Sequence, residues 1–456
     1  MMSNTRSFIA AHRFGYGANA KTIRKIKQQP QQWLLNQITA DNALKELTLL
    51  DMQWNSQLAA EQLNLYQQQK KQEKTPKASP QANMMLMASQ NTQKQINKQL
   101  QKAISATVVH SIVTDSPFYW RLVDFFSNHF SVTGNGPRMR ALAPTLEIEA
   151  IAPYISGSFA DMLLAVESHP AMLLYLNNEQ SIGPNSKAGK RSKGKRGLNE
   201  NLAREILELH TLGVNAGYDQ ADVTELARAI TGWGVEGKGS ANFSFKANLH
   251  EPGRRDVFGK IYQQDGVKQG VRILNDLAVN AKTAEFVSRK LVNHFVNDNP
   301  PQALVDTMVA VWLKTKGNLP QVLQAMIEHP LSWSEQGAKF KTPREFVIST
   351  CRVCGIKKIN PNFSKSLSIL GQQPFAAGSP AGYKDTQEYW AGPRAMMGRI
   401  EWAEHVSKFV KNSPVELAQN ALGPLMDERT ELLISRAESK SQAVTLFLMS
   451  PEFQKR

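Results

Sequence analysis

Residues Asn199 to Trp233 read NENLAREILELHTLGVNAGYDQADVTELARAITGW, a helical hairpin whose first arm carries two stripes. Leu198, Leu202, Ile206 and Leu209 recur at steps of four, four and three residues, the core-facing period of an amphipathic helix. Asn201, Arg204, Glu205 and Glu208 recur at steps of three, one and three, so an amide, a guanidinium and two carboxylates share another face. A merely solvated face needs no such ordered row. Gly213 and Gly217 end the first arm and turn the chain. The second arm opens on Asp219 as N-cap with Asp222 three residues on, then buries Val223, Leu226, Ala227, Ile230 and Trp233.

Outward from this hairpin the helical period dominates. Residues 1–60 form an N-terminal helical segment with Trp33, Leu34, Ile38, Leu44, Leu47 and Leu50 among its apolar positions. Residues 61–105 are rich in Gln and Lys and broken by Pro76 and Pro80, which predicts a helix, a break and a second helix projecting from the body. Residues 106–186 make the first part of a helical core, in which Ser116 and Pro117 open the aromatic helix FYWRLVDFFSNHF. Arg121, Asp124 and Asn128 form a polar stripe on it, adjacent to His129. Residues 198–350 continue the core, and alternation of Phe243 and Phe245, then Val257 and Ile261, predicts one short β-hairpin between 243 and 262. A C-terminal helical lobe, 351–456, contains an irregular loop from Gly371 to Pro393. The fold class is therefore mainly α: a large multi-helix globular body with one short β-hairpin and a helical projection. No fixed-period repeat is present, which disfavours a solenoid.

At 41% hydrophobic and 20% charged residues the chain has the composition of a globular protein, and no apolar run approaches the roughly 20 residues that span a bilayer. The N-terminus has a four-residue apolar run, FIAA, and lacks the hydrophobic region of a signal peptide, which predicts a cytoplasmic chain. Cys351 and Cys354 have C-x-x-C spacing, but no second pair completes a zinc site and their flanks are apolar, so they read as packed core thiols. The net charge of +15 is partly gathered between Lys187 and Gly197, KAGKRSKGKRG, where Lys187, Lys190, Arg191, Lys193, Lys195 and Arg196 stand without an acid. That composition predicts a basic mobile loop over 187–197. Non-specific nucleic-acid binding through it is the third-ranked function, because no aromatic residue supplies a stacking platform.

Several ordered blocks resemble one family. They are RFGYG at Arg13 to Gly17, SNHFSVTG at Ser127 to Gly134, HPAMLLYLNN at His169 to Asn178 and LHEPGRRDVFG at Leu249 to Gly259. KLVNHFVNDNPP at Lys290 to Pro301, KTPREFV at Lys341 to Val347 and SPEFQKR at Ser450 to Arg456 complete the set. Together with the hairpin they resemble the bacterial domain-of-unknown-function family numbered 1800. The resemblance implies a mostly helical protein encoded beside a member of family 1501, itself similar to alkaline phosphatases and sulfatases and commonly bearing a twin-arginine export signal. It implies an accessory or partner role at the cell envelope, with export carried by the signal-bearing partner. It supplies no catalytic residue and no cofactor.

The residues themselves suggest chemistry. None of the nine histidines belongs to H-E-x-x-H or E-x-x-H, which argues against the common helical metal sites. The glycines of RFGYG lack dinucleotide-binding spacing and predict a turn before the first helix. His210 lies beside an apolar stripe, the position of a hydrogen-bonded core histidine. His294 aligns with Val287 and Leu291, although Lys290 and Asp298 are placed one turn away to orient it. His129 abuts the polar stripe, and His250 occupies a charged, glycine-containing connection.

A single cleft is expected to gather these groups. His129, Arg204, Glu205, Glu208 and His250 are its candidate catalytic residues, with Asn128, Asn201, Lys290 and His294 as ligand-binding residues. Such a site suits acid-base hydrolysis of an anionic substrate, Arg204 binding the anion bidentately. The alternative is an ion-pair network in which Arg204 is held by Glu200 and Glu208 at steps of four.

Overall fold

The computed structural model describes residues 2–26, 28–50, 52–73, 80–192, 197–237, 239–334, 339–358 and 362–456. Helices dominate them, and one continuous apolar core runs through the body. The break at 74–79 and the cations Lys193, Lys195 and Arg196 lie outside the described residues. Helices α1 (Ser56–Glu73) and α2 (Pro80–Val113) flank that break and pack on each other. Ile96, Leu100, Ala103, Val108 and Ile112 anchor the C-terminal half of α2 in the core, whereas Met84 and Met87 near its start are exposed.

Helix α3 (Pro117–His129) is almost wholly buried, as its aromatic run requires. Pro117 takes the first helical position as expected, but the Ser116 hydroxyl donates to Asn42 Oδ1 at 2.9 Å instead of capping. The arm beginning at α4 (Asn201–Glu205) changes at Ile206 into a π-turn, Ile206–His210. One extra residue per turn shifts the seam, so the buried positions step by four through Leu202, Ile206 and His210, and Leu209 is only half-buried. Helix α5 (Gln220–Ala229) carries the capping box expected of Asp219 and Asp222. It is followed by α6 (Ala281–Phe295), α7 (Pro343–Cys354) and α8 (Pro393–Ser407).

The β structure differs from the single hairpin expected at 243–262. Strand β1 (Trp233–Val235) pairs antiparallel with β2 (Phe243–Phe245), and β3 (Arg255–Val257) pairs with β4 (Lys260–Tyr262). The apolar alternation marked both neighbouring strands, but each found a nearer partner across a shorter turn. The basic segment also departs from expectation over its first half. Lys187–Ser192 is a short helix with Gly189 buried, and the Ala188 amide donates to Asn248 O at 3.0 Å. RFGYG likewise follows the first helix of the chain, Met2–Ile9, instead of preceding it, because Arg13 and Phe14 end a π-turn, Ala10–Phe14. Both cysteines are free and buried, and burial pushes both thiols up. No helix among the described residues is long and apolar enough to cross a membrane.

The turn after the first arm of the hairpin fixes how closely α6 approaches. Gly213 has φ +91°, and a Cβ there would lie 2.9 Å from the Phe286 ring. Gly213→Ala is expected to destabilise by about 1–3 kcal/mol through strain and overpacking. Urea denaturation measures it, and an unchanged midpoint would show that the turn relaxes freely.

Candidate functional site

Helices α3, α6 and α7 converge on a cavity of about 480 Å³. Helix α3 contributes Asp124, Phe125, Asn128 and His129; α6 contributes Arg289, Lys290, Asn293 and His294; α7 contributes Arg344 and Glu345. Glu147, from a π-turn at Glu147–Ile151, completes the floor. The segment Gln372 to Asp385 forms the remaining wall. Asn128 fastens it, donating to Tyr383 O at 2.8 Å and accepting from Tyr383 N at 2.7 Å. A Cβ at Gly382 would overlap the Asn128 carbonyl, so this close approach requires glycine. Phe375 O accepts from Gly134 N at 2.7 Å, and Ala377 O from Thr133 Oγ1 at 2.8 Å.

Behind the cavity lies a buried network of charges. Glu345 Oε1 is 2.8 Å from Arg121 Nη2, and Oε2 accepts from Arg456 Nε at 2.9 Å and from its capping partner Thr342 N at 2.9 Å. Burial alone would raise the Glu345 carboxyl; Arg121 and Arg456 instead hold it down at about 2. Arg121 also donates to the carbonyls of Arg13 at 3.2 Å and Gly15 at 2.9 Å. The RFGYG block therefore supplies acceptors to the network, and its Tyr16 hydroxyl donates to Asp124. Asp124 pairs with Arg344 at 2.7 Å. His294 accepts from Arg121 at Nε2, 3.0 Å away, and donates from Nδ1 to Asp385. Lys339 donates to Asp298, and to Asp385 O at 2.6 Å. Burial lowers His294 despite the opposing pull of Asp385, so the ring is neutral at pH 7 and its two partners fix the tautomer.

Nearer the open space, His129 donates from Nε2 to His210 O at 3.1 Å, and its Nδ1 is 3.0 Å from Lys290 Nζ. Burial, reinforced by the Lys290 charge, pushes His129 well below its ordinary value, so the imidazole is neutral and Nδ1 accepts. Lys290 itself is lowered by burial to about 8. Among the described residues no carboxylate lies within ion-pair distance of it, whereas Arg289 pairs with Glu285 at 3.1 Å. Glu147 is buried and its carboxyl is raised by that burial, against the opposing charge of Arg344; its Oε2 accepts from Thr107 at 3.2 Å.

Of the nine residues expected in one cleft, the cavity brings together Asn128, His129, Lys290 and His294. Asn201, Arg204, Glu205, Glu208 and His250 do not line it. Helix α3, the hairpin's first arm and α6 do meet, since His129 bonds the His210 carbonyl and Gly213 abuts Phe286, but the hairpin's charged face turns away. Arg204 is 40% exposed there, bound to Glu208 at 3.3 Å, Gln220 at 2.8 Å and Glu200 at 3.6 Å. Asn201 is exposed, and Glu205 and Glu208 are half-buried. His250 is buried beside the turn after α5, its Nδ1 donating to Thr231 O at 3.0 Å and its ring against Phe245. The described part of the basic segment does not reach the cavity either; it packs beside Asn248, on the His250 side. His210 is the core histidine expected, paired with buried Glu167 at 2.8 Å.

Sequence reasoning missed Glu147, Arg344, Glu345, Asp385 and Arg456 as members of this site. Glu345 was hidden by its own capping box, Thr342 to Glu345, which gives it a sufficient local role. The available signal was the pair of blocks KTPREFV and SPEFQKR, whose charged residues meet at Glu345. No group of three His, Cys, Asp or Glu among the described residues is arranged to hold a metal ion.

Fold and site together define a helical protein with a cavity backed by a buried ion network and lined on one side by a lysine-histidine pair. The chain belongs to the family whose model is described as "Protein of unknown function (DUF1800)", which matches residues 9–455. No curated protein and no solved structure matches the chain.

Proposed function

We propose that the chain binds a small organic anion in the central cavity and acts on it by acid-base chemistry, the hydrolase reading moved from the Arg204 face to the α3/α6 face. Lys290 carries this reading: a half-buried cation faces a ligand-sized space with a neutral imidazole as its only hydrogen-bond partner among the described residues. The volume falls within the roughly 300–1,000 Å³ of small-molecule sites. Phe125, Val132 and Phe375 offer an apolar wall for the body of the ligand. Glu147, whose carboxyl burial raises against the charge of Arg344, lines the cavity as the candidate proton donor.

Calorimetric titration with acetate, phosphate and aromatic carboxylates tests the reading. Lys290→Met is expected to weaken the best of them by about tenfold or more, since a charge-assisted bond to an ion contributes roughly 1.5–3 kcal/mol. Affinity is also expected to fall as pH rises through about 8, where Lys290 loses its charge. Anion binding indifferent to both changes would reject the site.

A second reading is an accessory role beside an alkaline-phosphatase-like protein of family 1501. Exposed Ile369, Met397 and Ile400, brought near one another where a Cβ on Gly398 would lie 3.8 Å from Leu370 and 4.0 Å from the Ile369 carbonyl, support it as an apolar docking area. Crosslinking in the native host followed by co-purification tests it, and repeated failure to capture that neighbour would remove it. If the neighbour also carries the chain through export, deleting it is expected to leave this protein in the cytoplasm.

A further inference from the structure

We infer that Lys290 captures the carbonyl carbon of an α-oxo acid, forming a covalent imine in the cavity, with His129 Nδ1 positioning the amine. This rests on the anion-binding reading above and names the substrate class. The geometry singles out this amine. Lys290 Nζ faces the cavity, 3.0 Å from His129 Nδ1 and 5.3 Å from the centre of the Phe286 ring, with no carboxylate within ion-pair distance among the described residues. Asp385 favours the ammonium form from beyond ion-pair distance, but burial is the larger effect and favours the neutral amine that a nucleophile must be.

Other buried lysines are excluded by their surroundings. Lys339 is saturated by Asp298 and Asp385, and Lys341 lies on the Phe453 ring without lining the cavity. His129 has one job available. Its Nε2–H is committed to His210 O, so only the Nδ1 lone pair faces Lys290, and it orients the nitrogen by accepting a hydrogen bond from it.

The charge of the site selects the substrate. A carboxylate is drawn to the ammonium form, which places the adjacent carbonyl carbon beside the nitrogen once a proton has left to solvent. The neutral amine then adds to that carbon, forming the C–N bond as the carbonyl π pair moves to oxygen. The two remaining nitrogen protons leave with that oxygen as water, giving the imine. When the imine takes up a proton, its nitrogen is again a cation next to the substrate carboxylate, so the original charge pairing is retained. No oxidant or reductant is needed for these steps.

The experiment uses the full chain, glyoxylate or pyruvate as the probe, and cyanoborohydride to reduce any imine. The expected result is one adduct by intact mass, mapped by peptide mass to Lys290, with trapping about tenfold faster there than at any other lysine. Lactate, which has the carboxylate but no carbonyl, should bind reversibly and protect Lys290. Lys290→Arg should lose the adduct. His129→Asn should slow trapping and move its pH midpoint, which a purely structural role would not do. Lactate binding without an adduct at Lys290 overturns the imine alone, as does labelling spread over surface lysines of wild type. Absence of lactate, glyoxylate and pyruvate binding together overturns both this inference and the reading beneath it.

Discussion

Glu345→Ala is expected to destabilise the protein by about 3–5 kcal/mol, the usual loss when one member of a buried ion pair is removed. Two guanidinium groups depend on that carboxylate, Arg121 at 2.8 Å and Arg456 at 2.9 Å, and each is about 1% exposed. Without it, two cations would remain buried close together with only carbonyls, His294 and distant Asp385 as partners. Glu345→Gln keeps an acceptor for the Thr342 amide while removing the charge, so it should fall between wild type and the alanine variant. Equilibrium denaturation in urea gives the comparison. A loss below about 1 kcal/mol in the alanine variant would mean that water reaches the network and that it behaves like a surface pair.

Acid should unfold the protein through its histidines before its carboxylates. His12 is buried, donates from Nε2 to Ala421 O at 2.8 Å, and is lowered to about 3 by burial and then by Lys341. In the unfolded chain the same imidazole takes a proton near its ordinary value of about 6.5. Between these values the unfolded state binds the extra proton, so stability is lost as pH falls below about 6.5, by about 1.4 kcal/mol per pH unit once well below it. His129 and His294 are shifted in the same direction and add to the slope. Glu345 acts later: its contribution is complete above about 4.5 and disappears as pH falls toward about 2. His12→Gln preserves a donor for Ala421 O and removes the titration. Its unfolding free energy between pH 6 and 4 should be flatter than wild type by about 1.4 kcal/mol per unit. Parallel curves would mean that His12 protonates without unfolding.

The local elements were readable because their causes are local. The period of apolar residues on the 199–233 hairpin, the Asp219 to Asp222 cap and the proline that opens α3 act within one or two helical turns. The buried thiols and the His210 position followed from the same patterns. Even there, the π-turn at Ile206–His210 moved the seam by one residue, since the choice between two helical hydrogen-bond patterns depends on what packs outside the helix.

The site was legible only in part. Asn128, His129, Lys290 and His294 were marked by polar residues standing on otherwise core-facing helices. Arg204, Glu205 and Glu208 gave a sharper pattern in the sequence, yet that row is an i, i+4 array near the surface, tied to Glu200 and Gln220. An ordered charged stripe states that partners exist at helical spacing; it does not state which face is buried. Local residue patterns were enough to fix the helical class, the Asp219 cap, the core thiols and the family. Which charges meet depends on the packing of distant segments. Glu345 lies 111 residues from Arg456, and His294 lies 91 from Asp385. Helix periodicity extends along the chain, whereas a buried charge must be paired through space wherever packing brings a counter-ion within a few ångströms.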